Sequence, residues 1–242
     1  MAIRYHYSAS TGHEVIVSGG APLFYPRHMH MRHWTLVLVR RGSMELAEPA
    51  GMRRMEAGDF FLVPPRVPHS LRIAGSSELL TLCLDEESML RHGHELFSGI
   101  RHLLFPQECE QIERTMDPLA RQACSLAGWQ VGGKVRELTQ RLVAQPEEAL
   151  SIAQMARIAG VSPWHFLRRF QSETGMTPHA FLLNCKVRYL RSLLRGKVTA
   201  AAAAALAGFA DQSHMHKLFK LHHNLTPRQF VLASNRVDGM TA

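Results

Sequence analysis

The chain has 242 residues, of which 46% are hydrophobic and 20% are charged. This composition is typical of a globular rather than a disordered protein, and the length allows one large domain or two small ones. No apolar run approaches the roughly 18 residues of a membrane helix, and the N-terminal residues lack the apolar segment of a secretory signal. We therefore expect a cytoplasmic protein that makes no membrane contact. The four cysteines are scattered without a C-x-x-C pair, which argues against a disulfide framework or a cysteine-based zinc site.

The formal net charge of +8 is unevenly distributed along the chain. Residues 1–147 contain 16 Lys/Arg and 16 Asp/Glu, whereas residues 148–242 contain 12 Lys/Arg and 4 Asp/Glu. The whole positive excess therefore lies in the second part. A neutral part joined to a basic part is typical of a protein whose second part binds a polyanion. By charge alone, a well-solvated basic surface without such a partner is the alternative.

Residues 1–85 predict β-structure. Short apolar runs rich in β-branched and aromatic residues, such as TLVLV and DFFLV, alternate with Gly, Pro and charged residues, which is typical of an antiparallel β-sandwich or small barrel. Residues 86–147 predict a helical connector. Within it Val135, Leu138, Leu142 and Val143 share one helix face, and we expect this region to supply a dimer surface.

From about residue 148 the chain predicts only helices and contains an internal repeat. The stretch SIAQMARIAGVSPWHFLRRFQSETGMTPHAF at 151–181 is similar to AAAAALAGFADQSHMHKLFKLHHNLTPRQF at 201–230, with most matched residues 48 or 49 apart. Two copies of one supersecondary unit are therefore expected. The alternative that the alanine run is a low-complexity linker is disfavoured by the helix propensity of alanine.

Each copy has the pattern of a helix-turn-helix. Gly160 and Gly208 can adopt the left-handed conformation that ends the first helix. Ser162 and Asp211 are suitable N-caps for the second helix. We expect Leu167 with Phe170, and Leu218 with Phe219, to anchor the second helices, and we assign Phe170, Phe181, Phe219 and Phe230 to the core. In such units the second helix enters the DNA major groove.

The segment 148–231 resembles the double helix-turn-helix of the AraC/XylS family of bacterial transcription regulators. The resemblance rests on VSPWHFLRRFQSETGMTPHAFL and AGFADQSHMHKLFKLHHNLTPRQFV, with CKVRYLRSLLRGK in the place of the central helix. It implies a DNA-binding domain over 148–242 with units at about 151–174 and 199–223, whose recognition helices lie about one turn of DNA (~34 Å) apart. The DNA-binding residues expected from this match are Trp164, His165, Leu167, Arg168, Arg169, Gln212, Ser213, His216 and Lys217. Asn224 stands where the family usually has glycine.

The first 85 residues resemble the cupin domain of AraC-like regulators. The shared pattern is His-x-His, a glycine turn, Gly-Asp and a final histidine after a proline-rich turn, here His28, His30, Gly42, Gly58, Asp59 and His69. If 28–34 is a strand, His28, His30, Arg32 and Trp34 share one face. We expect those four residues and His69 to line an effector pocket, and Arg32 and Arg66 favour an anionic effector.

His28, His30 and His69 are also suitable ligands for zinc, nickel or iron. Metal-binding cupins usually add a glutamate four or five residues after the second histidine, but Trp34 and Thr35 stand there. A pocket without metal is therefore favoured over a metal site, and purely structural histidines are a third alternative.

The leading hypothesis is an α+β protein that is a sequence-specific DNA-binding transcription regulator and not an enzyme. Its expected partners are double-stranded DNA, an unidentified small-molecule effector, a second copy of the chain and RNA polymerase, and no cofactor is required. The alternatives are a metal-dependent cupin enzyme with a helical appendage and a DNA-binding protein with an inert cupin.

Overall fold

The computed structural model describes residues 2–8, 12–87, 104–110, 112, 114 and 131–235. They form two compact units, one mostly of β-structure and one mostly helical. Among the described residues, the N-terminal part of the chain forms nine strands: β1 (Ala2–Tyr7), β2 (Glu14–Gly19), β3 (Leu23–His28), β4 (His33–Arg41), β5 (Ser43–Glu48), β6 (Gly51–Glu56), β7 (Phe60–Val63), β8 (His69–Ile73) and β9 (Glu78–Asp85).

The nine strands form two sheets. Five strands lie in the order β1-β2-β9-β4-β7 and four in the order β3-β8-β5-β6. Strand β4 pairs antiparallel with both β9 and β7, and it is buried over most of its length because both of its faces are covered. This two-layer arrangement agrees with the predicted β-sandwich.

The outer face of the five-stranded sheet carries an apolar cluster. Alternate residues of three strands contribute to it, among them Val15, Leu36 and Leu82, each fully buried. Leu104 and Ile112, which lie after the sheet in sequence, pack onto the same cluster. The other side chains of these strands point to the opposite face, because successive side chains of a strand alternate.

A buried ion pair attaches residues after the sheet to strand β4. The Arg40 guanidinium donates to both carboxylate oxygens of Glu108, over 2.6 and 2.8 Å. Their side chains are only 13% and 6% exposed. Arg40 also lies 4.8 Å from the ring centre of Phe105, and the Glu108 carboxylate raises the pKa of the arginine further above its usual value. The bidentate geometry offsets the cost of burying both charges.

The predicted strand over 28–34 is wrong. Strand β3 ends at His28 and strand β4 begins at His33, with a bend between them. In that bend the His30 carbonyl accepts a hydrogen bond from the Arg66 amide over 2.7 Å, and the Met31 carbonyl accepts one from the Arg66 guanidinium. These carbonyls are thus bonded by a neighbouring loop rather than by a strand.

The second unit contains seven helices among the described residues: α1 (Gly133–Ala144), α2 (Ile152–Ala159), α3 (Pro163–Thr174), α4 (Pro178–Arg195), α5 (Ala200–Leu206), α6 (Gln212–His223) and α7 (Pro227–Asn235). The alanine run is therefore the helix α5 and not a linker. None of the helices described is both long enough and apolar enough to span a bilayer. The predicted fold class, a β-rich N-terminal part followed by helices, is confirmed.

Helix α1 packs within the helical unit. Its buried residues include Val135, Leu138 and Leu142, and the helix contacts α2 and α4. Residues 86–147 are predicted to supply a dimer surface; within them, the apolar face of α1 is covered by α2 and α4 and is not available for that contact. Most of the remaining predicted connector lies outside the described residues.

Candidate nucleic-acid interface and cupin pocket

The first helix-turn-helix consists of α2, a glycine turn and α3. Ser151 and Gln154 form a reciprocal capping box at the start of α2. Gly160 ends α2 in the left-handed conformation, with φ of 71°, and Ser162 caps α3 by accepting from the His165 amide. Each of these local interactions fixes one end of a helix, so the turn between the two helices is well defined.

The second unit repeats this construction in α5 and α6. Gly208 has a φ of 70°, and Asp211 caps α6 by accepting from the His214 amide over 2.7 Å. Asn224 ends α6 in the left-handed conformation, with φ of 53°, where Gly175 ends α3 with φ of 69°. Asparagine thus adopts the left-handed conformation at the position where the family usually has glycine.

The helix anchors differ from the prediction. Phe166 and Phe170 are fully buried in α3, whereas Leu167 is 39% exposed. In α6 the fully buried residues are Met215 and Phe219. The assignment of Leu167 as an anchor is therefore wrong by one position, and its exposure is compatible with its other predicted role in DNA contact. The aromatic cores Phe170–Phe181 and Phe219–Phe230 are confirmed, each with ring centres 5.5 Å apart.

The residues of α3 that were predicted to contact DNA lie on or near its solvent-exposed face. Trp164 is 65% exposed, and the Arg168 guanidinium lies 4.8 Å from its ring centre. His165 is also exposed. Arg169 differs, because its guanidinium donates to Glu173 over 2.7 Å and is only partly exposed. Arg168, stacked on Trp164, is therefore more available to a DNA partner than Arg169.

Helix α6 presents a polar face without aromatic residues. Gln212, Ser213 and Lys217 are exposed. His216 is only partly exposed, and its Nε2 atom is buried without a hydrogen bond to any described residue. Of the four candidates in this helix, His216 is thus the least available to a DNA base.

Lys186 is a residue of this unit that the sequence analysis did not single out. It lies on the central helix α4, and its ammonium donates to the Gly208 carbonyl over 2.6 Å. Burial lowers the pKa of this lysine. A Cβ at Gly208 would lie 2.7 Å from the Glu147 carbonyl oxygen, whereas a Cβ at Gly160 would meet no atom within 4 Å. The second turn is therefore closely packed and the first is open.

Three of the predicted pocket residues come together at the end of strand β3 and the start of strand β8. One ligand atom from each of His28, His30 and His69 can be chosen so that all lie within 4.8 Å of one another. The rings of His30 and His69 are stacked, with centres 5.5 Å apart. The convergence expected from the cupin resemblance is thus present, although the strand that was expected to produce it is not.

Backbone carbonyls orient two of these imidazoles. The Nδ1 atom of His28 lies 2.7 Å from the Pro26 carbonyl oxygen, and that of His69 lies 3.0 Å from the Val67 carbonyl oxygen. A carbonyl only accepts, so Nδ1 carries the proton in both rings when they are neutral, and the lone pair is on Nε2. Burial lowers the pKa of His28, which favours this neutral form.

Trp34 and Arg32 do not join the histidines. Trp34 is 6% exposed and packs in the apolar cluster on the outer face of the five-stranded sheet. The Arg32 side chain is 61% exposed and pairs with Glu87 over 3.1 Å. Their assignment to the pocket depended on a strand over 28–34, and the bend at 29–32 changes the face to which each side chain points.

Arg66 does not supply the unpaired cation expected for an anionic effector. Its guanidinium donates to both carboxylate oxygens of Glu86, over 2.8 and 3.1 Å. The residue also has a φ of 67°. Together with the Arg32–Glu87 pair, this removes the observation that favoured an anion.

The fold and the two candidate sites define a protein that combines a cupin with a double helix-turn-helix. Comparison with known proteins agrees with this description: a helix-turn-helix domain model matches residues 155–232 and a cupin domain model matches residues 13–85. The chain therefore carries a helix-turn-helix domain and a cupin domain, as the resemblance implies.

Two curated relatives are HTH-type transcriptional regulators. MtrA of Neisseria gonorrhoeae is 31% identical over 106 residues, which are 43% of this chain and 35% of MtrA. The chain thus spans about a third of the length of this relative. YbfI of Bacillus subtilis, an uncharacterized regulator, is 23% identical over 224 residues, which cover 79% of this chain and 81% of YbfI.

A solved structure shares the fold over most of the chain. ToxT of Vibrio cholerae has a TM-score of 0.62 at 11% identity, covering 93% of this chain and 98% of ToxT. At this identity the likeness describes the fold alone.

Proposed function

We propose that this protein is a sequence-specific DNA-binding transcription regulator, that its cupin domain binds a small-molecule effector, and that it is not an enzyme. The observation that carries the proposal is the pair of capped helix-turn-helix units with polar and basic residues exposed on each second helix. These units lie in the part of the chain that holds the entire positive charge excess. The names of the relatives support the same function.

The proposed partners are double-stranded DNA, RNA polymerase and a second copy of the chain, in the cytoplasm. The support is the AraC-type domain and the basic charge of the helical unit. The covered apolar face of α1 excludes that face as the dimer contact. Sedimentation of the purified chain with and without DNA measures the oligomeric state, and a monomer under both conditions contradicts the homodimer.

Arg168 offers the sharpest test of the DNA interface. Its stacked, exposed guanidinium can form a bidentate contact to guanine. Arg168→Ala is expected to weaken binding to a selected site by about 1–3 kcal/mol and to relax the preference at one base pair. Arg54→Ala, which removes an exposed cation from strand β6, is the charge-matched control. An unchanged base preference in Arg168→Ala would show that Arg168 contacts only the phosphate backbone.

An effector is proposed because the fold provides a cupin and because a related fold binds ligands. ToxT has been crystallised with an unsaturated fatty acid. To act as a switch, a ligand of the present protein must bind two conformations unequally. The direct measurement is DNA affinity during titration with candidate effectors. A cupin whose occupancy never changes DNA affinity would favour the alternative of an inert cupin.

The histidine cluster favours a second candidate, a metal-dependent cupin. His28, His30 and His69 would hold a divalent transition metal, since one ligand atom from each lies within 4.8 Å of the others. Such an ion would supply a Lewis acid with open coordination positions. Metal analysis after incubation with zinc or nickel tests this candidate. His30→Ala is expected to lose one bound ion per chain and the exposed His179→Ala to lose none, whereas a metal-free wild-type protein rejects the candidate.

A further inference from the structure

Apolar packing anchors the first helix of the second helix-turn-helix only weakly. The buried residues of α5 are Ala203 and Ala204, and its one large apolar residue, Leu206, is 50% exposed. The matching helix of the first unit, α2, buries Met155. A buried alanine removes much less apolar surface from water than a buried methionine does. Packing therefore holds α5 in place less firmly than α2.

A hydrogen bond from the central helix α4 holds the turn that follows α5. The amides of Gly208 and Phe209 in this turn donate to carbonyls of α5 itself, those of Ala205 and Ala204. The Gly208 carbonyl instead accepts from the Lys186 ammonium of α4 over 2.6 Å. The same ammonium lies 5.9 Å from the ring centre of Phe209. A hydrogen bond from a charged donor is roughly twice as strong as one between neutral groups, so it supplies an attachment that the alanines of α5 do not.

The same turn also packs against the segment that precedes the first helix-turn-helix. A Cβ at Gly208 would lie 2.7 Å from the Glu147 carbonyl oxygen and 3.1 Å from the Lys186 ammonium nitrogen. Glu147 lies between α1 and α2. One turn of the second unit is therefore in contact both with the central helix and with the chain that enters the first unit.

This contact determines where the second DNA-contact helix begins. Helix α6 starts at Gln212, directly after the turn that contains Gly208. The N-terminal residues of the second helix are those that reach base edges in a helix-turn-helix. A turn that is fixed to α4 and to Glu147 therefore fixes the position of these residues relative to the first unit.

We propose that Lys186 is a positioning residue that holds the two helix-turn-helix units in one arrangement, so that the protein distinguishes DNA sites by the spacing between two motifs. Lys186 does not contact DNA in this proposal, because its ammonium is bonded to the Gly208 carbonyl. The inference goes beyond base recognition by each helix and rests on the proposed function.

Binding to DNA of altered spacing tests the fixed arrangement in the wild-type protein. Sites are first selected from random DNA, and each motif is assigned to the helix whose substitution changes its base preference, Arg168→Ala for α3 and Lys217→Ala for α6. Inserting one base pair between the motifs then moves one of them by about 3.4 Å and rotates it by about 35° around the DNA axis. We expect the wild-type affinity to fall about tenfold or more, because only one of two rigidly held helices can then bind its motif. A loss of less than about twofold in affinity would overturn the proposal.

Lys186→Met separates positioning from charge and from folding. Methionine keeps a long side chain but cannot donate to Gly208. We expect the variant to bind the two-motif site about tenfold more weakly, because a loosely held second unit has a lower effective concentration at its motif. Its affinity for DNA that carries only the α3 motif should be unchanged, and the penalty for the inserted base pair should decrease. Lys134→Met removes the same charge from α1, where the ammonium pairs with Glu137, and should keep the wild-type penalty.

Three outcomes separate this inference from the alternatives. Equal weakening by Lys186→Met on both kinds of DNA, with the spacing penalty retained, would show that Lys186 only stabilises the fold and would overturn the proposal. If circular dichroism shows that the variant does not fold, the wild-type spacing measurement still decides. Specific binding at any spacing would overturn this inference alone, whereas the absence of sequence-specific binding would overturn the proposed function.

Discussion

Replacing Thr35 by valine is expected to stabilise the protein in the absence of a ligand. The side chain is 2% exposed, and its Oγ1 has no hydrogen-bond partner among the described residues. Leaving a buried polar group unsatisfied costs about 1–3 kcal/mol, and valine has nearly the same shape without the hydroxyl. We therefore expect Thr35→Val to raise the free energy of unfolding of the β-rich unit by about 1 kcal/mol. For a unit of this size, that corresponds to a rise of about 4–8 °C in Tm.

Thr174→Val is the matched control. Thr174 is also 2% exposed, but its Oγ1 lies 2.7 Å from the Phe170 carbonyl oxygen and accepts from the Met176 amide over 3.3 Å. This substitution should destabilise the helical unit by about 1 kcal/mol or more.

Hydrogen exchange measured by mass spectrometry reports the two units separately, through peptides from β4 and β9 and from α3 and α4. Faster exchange of β4 and β9 in Thr35→Val would contradict this expectation, because it would mean that the hydroxyl stabilises the fold.

Three further experiments test the packing. Arg40→Met should lower the free energy of unfolding by about 3–5 kcal/mol, because it leaves the Glu108 carboxylate buried without its cation. Adding Glu108→Leu should recover much of this loss, as measured by urea unfolding. Neither effect is expected if the pair is exposed to solvent. Gly160→Ala should lower the free energy of unfolding by about 1–2 kcal/mol, because alanine disfavours a positive φ. Gly208→Ala should lower it by more, because its Cβ would lie 2.7 Å from a carbonyl oxygen. Equal losses would contradict the close packing of the second turn. Burial raises the pKa of Cys185 to about 12. Iodoacetamide at pH 8 should therefore modify this thiol in urea and not in the native protein. Rapid labelling of the native protein would contradict its burial.

The features that the sequence predicted correctly depend on short stretches of chain. The caps at Ser162 and Asp211 and the left-handed turn at Asn224 are determined by a few adjacent residues, and the structure contains all three. The helix anchor was misassigned because adjacent positions on a helix differ by only 100°, and both Phe166 and Leu167 are apolar.

The features that the sequence could not predict depend on distant residues. The buried position of Thr35 depends on the register of β4 and β9, which pairs it with Cys83, 48 positions away in the sequence. The charge of Arg66 is neutralised by Glu86 from the end of β9, a contact that no local pattern indicates. The three histidines converge, but a bend held by the Arg66 backbone and side chain brings them together, not the strand alternation that the pattern suggested.

Sequence-specific binding of DNA by the two helix-turn-helix units can be measured with the full-length protein. Sites are selected from random double-stranded DNA with the full-length protein, and the affinity for the best site is then measured between 50 and 200 mM salt. We expect two short motifs about 10 base pairs apart and an affinity that falls steeply with salt, because lysine and arginine contacts to phosphates release counterions. No sequence enrichment, or an affinity independent of salt, would contradict it.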